Sequence, residues 1–211
     1  AIVQSGELNA LSAERIWQEL ARGLIAAKPM HLFQVLLTTG AASALLPPTL
    51  VTKLSEESFR EALITHFSCA SNGLDERCAI TLMDLPAGEI RSWADCVRMP
   101  IEVRDFCEIF SDLRVLVNKH LHHSYQATDI LAWFNRADLW RKPERAQAIL
   151  NLADKLGMNV LPLVNAMKNT QAINTAEIIA SIAAEDRSNG ERIGSAFESA
   201  RLAAITAALN S

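Results

Sequence analysis

No run of apolar residues in this 211-residue chain approaches the roughly 20 needed to cross a bilayer, and nothing near its first residue reads as a signal peptide. A cytoplasmic protein with no membrane partner is expected. No two of the four cysteines (Cys69, Cys78, Cys96, Cys107) form a Cys-x-x-Cys pair. The thiols are therefore expected to be reduced and mostly in the core, without a disulfide framework. Positive charge is not in excess either: 20 Lys and Arg stand against 24 Asp and Glu, a net charge of −4. That balance excludes broad attraction to a polyanion, so any nucleic-acid contact must come from a local patch. Sustained alternation of apolar and polar residues, the mark of half-buried strands, is also missing.

What remains is half hydrophobic and periodic at helical spacing. In 12–27, Ile16, Leu20 and Leu24 repeat every four residues, with Trp17 and Ile25 widening the stripe. Ser12 suits the N-cap of that helix, and Arg15 with Glu19 forms an i,i+4 pair. The segment 30–39 follows Pro29 and ends at Gly40, a residue suited to a left-handed C-cap. Pro47-Pro48 is the clearest breaker, and a domain boundary is placed there. Helices are then predicted over 55–70, 74–83, 86–98, 102–117, 142–156, 160–169 and 191–208, with shorter ones at 128–135 and 175–184. In 102–117, Val103, Phe106, Phe110, Leu113 and Val117 face inward, and Glu102, Arg104, Asp105, Glu108 and Asp112 face outward. The helix over 142–156 carries Pro143 in its first turn and closes on Gly157. The fold class is all-α, a bundle of about nine to ten helices.

Chemistry-bearing residues are few. His120-Leu-His122-His123 is read as a polar surface loop, because no nearby carboxylate or cysteine completes a metal site. His31 and His66 lie in helices without identifiable partners. No Ser-His-Asp or Cys-His arrangement can be defended from spacing.

Three separated stretches, taken in order, resemble the C-terminal part of bacterial CCA-adding tRNA nucleotidyltransferases of the poly(A) polymerase family, the kind with an HD-type domain. They are Ser5-Gly-Glu-Leu-Asn-Ala-Leu-Ser-Ala-Glu-Arg-Ile-Trp-Gln-Glu-Leu20, continuing into Phe33-Gln-Val-Leu and Gly40-Ala; Met99-Pro-x-Glu-Val-Arg-Asp-Phe106; and Ala137-Asp-Leu-Trp-Arg-Lys-Pro-Glu-Arg145. A fourth, Gly190-x-x-Ile-Gly194 with Arg201-Leu-x-x-Ile205, fits the family's tail helix. The resemblance implies a neck end over 1–48, a degenerate HD-like body over 49–126 and tail helices over 127–211. It implies tRNA as partner, together with an N-terminal nucleotidyltransferase head. The head's Gly-Ser motif, its Asp-x-Asp pair for Mg²⁺ and the neck's Glu-Asp-x-x-Arg motif for reading CTP and ATP do not occur here. No cofactor is therefore expected in this chain, with Mg²⁺ and ATP or CTP implied for the head. A fragment lacking the N-terminal half is the expected explanation.

In an HD-type domain, histidines and an aspartate hold a divalent ion. Counting back from Arg77 places Phe59 where the family has its first histidine, and Met83-Asp84 stands where His-Asp is expected. The histidine-rich segment that follows in the family is deleted. Phe offers no lone pair and a thioether is a poor ligand for hard ions, so the HD-type activity is predicted dead. Asp84, two residues before Pro86, is read instead as a cap of the following helix. A metal-dependent phosphohydrolase of HD type built on Asp84 with unrecognised ligands is the first alternative. A non-catalytic helical protein-interaction module is the second.

The segment 133–145 gathers four cations and two Trp residues. Arg136, Arg141, Lys142 and Arg145 can neutralise phosphates, and an exposed Trp140 can stack on a base. The competing reading packs Trp140 as a staple and pairs Asp138 with Arg141 or Arg145. Arg187 and Arg192, where a loop meets the last helix, form a second basic candidate for RNA.

Overall fold

The structure, a computed structural model, describes residues 12–71 and 73–210. The start of the first family-like stretch, 5–11, lies outside the described residues. Among those residues the chain forms thirteen α-helices and no strand, so it is all-α, with more helices than expected. It divides into two compact units. The first runs to Val115 and the second starts at Leu116, so the division falls within α8 (Ile101–Lys119).

In the first unit, α1 (Ala13–Leu24) starts where Ser12 Oγ accepts the Arg15 N–H at 3.3 Å. Its buried stripe is Trp17, Leu20 and Leu24. The helix stops one residue before Ile25, which stays exposed. Glu19 pairs with Arg22 at 2.9 Å, one turn on the far side from the expected Arg15. α2 (Met30–Thr39) closes on Gly40 in the left-handed region, φ 75°.

The extra helices come next. α3 (Ala42–Leu45) and α4 (Pro48–Leu54) occupy a stretch the sequence left open. Pro47 is extended and Pro48 opens α4, a position where a missing N–H costs nothing. Leu46, Leu50 and Leu54 are buried around this start. The double proline therefore begins a packed helix.

Between α5 (Glu57–Cys69) and α7 (Ala87–Val97) lies α6 (Leu74–Leu82), buried at every position from Arg77 to Leu82. Arg77 is tolerated there because its Nη1 donates to the carbonyls of Leu24 (3.0 Å) and Ala26 (3.2 Å). It thereby caps the end of α1, where carbonyls would otherwise lack partners. Its guanidinium also lies 5.5 Å from the Phe67 ring centre.

Glu108 on α8, expected to face water, is wholly buried. Arg91 of α7 forks onto it, Nε to Oε1 at 3.0 Å and Nη2 to Oε2 at 2.5 Å, and Arg104 approaches at 3.5 Å. A carboxylate leaves water only when its lone pairs are satisfied. Beside it, Cys107 touches Cys78, and burial followed by that contact pushes the Cys107 thiol well up. Cys69 and Cys96, in contrast, are exposed.

The second unit holds α9 (Ala127–Arg136), α10 (Pro143–Lys155), α11 (Leu161–Gln171), α12 (Thr175–Ser181), a 3₁₀ turn at Ala184–Asp186, and α13 (Gly190–Leu209). α13, rich in alanine, packs against α9, α11 and α12. Gly157 ends the turn after α10 at φ 77°. His120, expected on a polar surface loop, is buried instead. Its Nδ1 meets the Ser124 carbonyl and its Nε2 meets Asp129, both at 3.0 Å. The carboxylate that spacing failed to find lies nine residues on, and Lys119 shares it at 2.6 Å. His122 and His123 remain exposed.

Candidate nucleic-acid interface

Two places carry the residues singled out in the sequence. The first is the turn between α6 and α7. Asp84 was expected to cap α7, but that helix has Pro86 at its N-cap position and no side-chain cap. The carboxylate turns to two cations instead. Its Oδ1 meets Arg114 Nη2 at 2.5 Å and its Oδ2 meets Lys53 Nζ at 3.4 Å. Ion pairing with two charges outweighs a neutral cap hydrogen bond.

Phe59 and Met83 are both buried nearby, and the Lys53 ammonium lies 5.7 Å from the Phe59 ring centre. The half-buried His66 completes this neighbourhood. Burial, then the charge of Arg114, lowers its pKa, while Asp84 acts in the opposite direction. Its Nδ1 is buried without a hydrogen-bond partner among the described residues. Among those residues no three His, Cys, Asp or Glu side chains gather as a metal would require.

The second place is the corner between α9 and α10, in the second unit. α9 ends at Arg136, and Asp138 takes a left-handed backbone, φ 55°. That reversal turns Leu139 into the core and leaves Trp140 half-buried. Trp140 is held on three sides. Its Nε1 donates to Asn135 Oδ1 at 2.7 Å, Phe134 meets it edge-on at 6.2 Å, and the Arg201 guanidinium of α13 lies 3.7 Å from its ring centre. Trp133 is buried and presents no face.

The cations divide by role. Arg141 Nε donates to Asp138 Oδ1 at 2.8 Å, and that bond holds the Asp138 carboxyl below its ordinary range. Arg145 Nη2 donates to the Ala137 carbonyl at 2.8 Å, closing the end of α9. Arg187 donates to the carbonyls of Ile182 and Ala180, both at 3.0 Å, and caps α12. Arg136, Lys142 and Arg192 are exposed, Arg192 in the first turn of α13 behind the Asn189 cap. The structure thus brings Arg136, Trp140, Arg141, Lys142 and Arg145 to one corner, whereas Arg187 and Arg192 lie along the 175–192 segment.

Sequence reading missed Arg201. It stood in the sequence as part of the tail-helix resemblance, a cation in an alanine-rich stretch four residues after Phe197, and not as a site residue. A pocket of about 250 Å³ opens beside it, walled by Leu139, Pro143, Ile173 and Phe197.

The fold and these two places define an all-α scaffold with a carboxylate locked by cations and a corner of aromatic and basic side chains. Comparison with known proteins gives the relationship. The chain is 29% identical over 242 residues to the multifunctional CCA protein of Leptothrix cholodnii, an alignment covering 97% of this chain and 58% of that protein. It is 26% identical over 249 residues to the multifunctional CCA protein of Herminiimonas arsenicoxydans, covering 100% and 60%. The CCA-adding enzyme of Pseudomonas putida is 26% identical over 210 residues, covering 98% and 55%. This chain is related to the CCA-adding proteins of bacteria, and it spans a little over half the length of the curated relatives it matches. No protein-family profile matches the chain, and no solved structure matches it.

Proposed function

We propose that this chain is the tRNA-binding C-terminal region of a cytoplasmic tRNA nucleotidyltransferase. In this reading 1–48 ends the neck, 49–126 forms a degenerate HD-like body and 127–211 forms the tail. The region holds tRNA by shape and phosphate contacts while an N-terminal head, using Mg²⁺ with CTP and ATP, adds the CCA end. The observation that carries this reading is similarity to CCA-adding proteins along almost the whole chain.

The body supports it through Asp84. The charge of this carboxylate is already balanced by Arg114 and Lys53, and its neighbours Phe59 and Met83 are poor donors for a divalent ion. The RNA-facing residues are Arg136, Arg141, Lys142 and Arg192. Arg145, Arg187 and Trp140 build the frame that presents them.

The test is nucleotide transfer. The chain is incubated with tRNA lacking its CCA end, Mg²⁺ and labelled CTP or ATP. No incorporation is expected, and incorporation above background contradicts the reading. A parallel assay of 2′,3′-cyclic nucleotide hydrolysis is expected to show no turnover.

A further inference from the structure

The geometry points to Arg201, laid flat on Trp140, as the residue that takes one RNA phosphate in the second unit, with the adjoining pocket receiving the attached sugar or base. This rests on the tRNA-binding reading above and deepens it by naming the contact.

Arg201 is unlike three other arginines of the second unit. Arg141 is tied to Asp138 through its Nε, and Arg145 and Arg187 donate to helix-end carbonyls. Arg201 makes no hydrogen bond or ion pair among the described residues. Its guanidinium is nonetheless fixed, 3.7 Å from the Trp140 ring centre and 5.6 Å from that of Phe197. Trp140 is itself pinned by Asn135 and Phe134.

Stacking fixes the plane of a guanidinium but uses none of its in-plane N–H donors. Those donors stay available in the fork that matches two phosphate oxygens. Burial also lowers the Arg201 pKa, while the charge of Glu198 acts in the opposite direction without a hydrogen bond or ion pair to the guanidinium. An anion brought to such a group meets little rearrangement, because the side chain is already ordered. The pocket beside it suits a nucleotide more than a free ion. Its apolar walls, Leu139, Pro143, Ile173 and Phe197, can cover a sugar or base face, and Thr170 and Gln171 add polar groups.

The experiment titrates the full chain with tRNA lacking its CCA end, over a range of salt, for the wild type, Arg201→Met and Arg22→Met. Methionine keeps a packing stem over Trp140 and removes the charge. Arg22 lies exposed on α1, so its variant removes the same charge far along the chain. Thermal melting checks that each variant is folded, and Arg201→Gln replaces the methionine variant if that one is not. Releasing one counterion is worth about tenfold in affinity near 0.1 M salt. Arg201→Met, or Arg201→Gln in its place, is expected to bind about tenfold more weakly, with the slope of log affinity against log salt flatter by about 1. Affinity and slope equal to the wild type overturn the inference while tRNA binding itself stands, and an equal loss in Arg22→Met overturns it as a bulk-charge effect. A wild-type chain that binds no tRNA overturns both this inference and the proposed function.

Discussion

At Asp84 two cations do for a carboxylate what a divalent ion would otherwise do, and they come from helices far apart in sequence, α4 and α8. Removing the carboxylate leaves Arg114 and Lys53 facing each other, both partly buried. Asp84→Ala is expected to cost about 1–3 kcal/mol, read as a lower denaturant midpoint, with bound metal unchanged by elemental analysis. His66, next to this pair, has a pKa lowered first by burial and then by Arg114. The folded state therefore keeps the ring neutral at a pH where the unfolded chain protonates it. Stability is whole above the ordinary imidazole pKa of about 6.5 and falls as pH drops below it. The melting temperature is expected to decline between about pH 7 and pH 5, and His66→Gln is expected to flatten that decline. An unchanged slope in the variant contradicts the assignment. Phe59 and Met83 were legible in sequence as non-ligands because lone pairs belong to residue types. The partners of Asp84 were not, since capping is local and ion pairing is not.

Helix ends were the most readable elements. Gly40, Gly157, Pro143 and Ser12 do what their types dictate, because a cap is decided within a turn of chain. A Cβ added at Gly157 would meet nothing within 4 Å, so the cost of substitution there is backbone alone. Gly157→Ala is expected to destabilise by about 1 kcal/mol, seen in chemical denaturation, and a neutral effect would mean the turn relaxes. Less readable was the stretch around Pro47-Pro48, where the same residue that breaks one helix begins another and only the burial of Leu46, Leu50 and Leu54 decides which. Glu108 on α8 and Arg77 on α6 broke the amphipathic pattern for one shared reason. Each charge is buried because a partner 17 or about 50 residues away in sequence satisfies it, a pairing that periodicity does not encode. Arg201 was not singled out as a site residue because its stacking on Trp140, far away in sequence, is likewise not encoded in periodicity.

For the whole molecule, a net charge of −4 spread over two compact units leaves the proposed attraction to tRNA to a few placed cations, not to a general field. Among the described residues no helix is long and apolar enough to cross a membrane. The central claim is that this scaffold holds RNA electrostatically without performing metal chemistry on it. A titration of the full chain with tRNA lacking its CCA end, repeated across salt concentrations, tests that claim most directly. The account requires weak binding that declines linearly in log affinity against log salt, with a slope of a few phosphate contacts. Absence of binding, or binding indifferent to salt, would contradict it and favour a helical module that docks on protein.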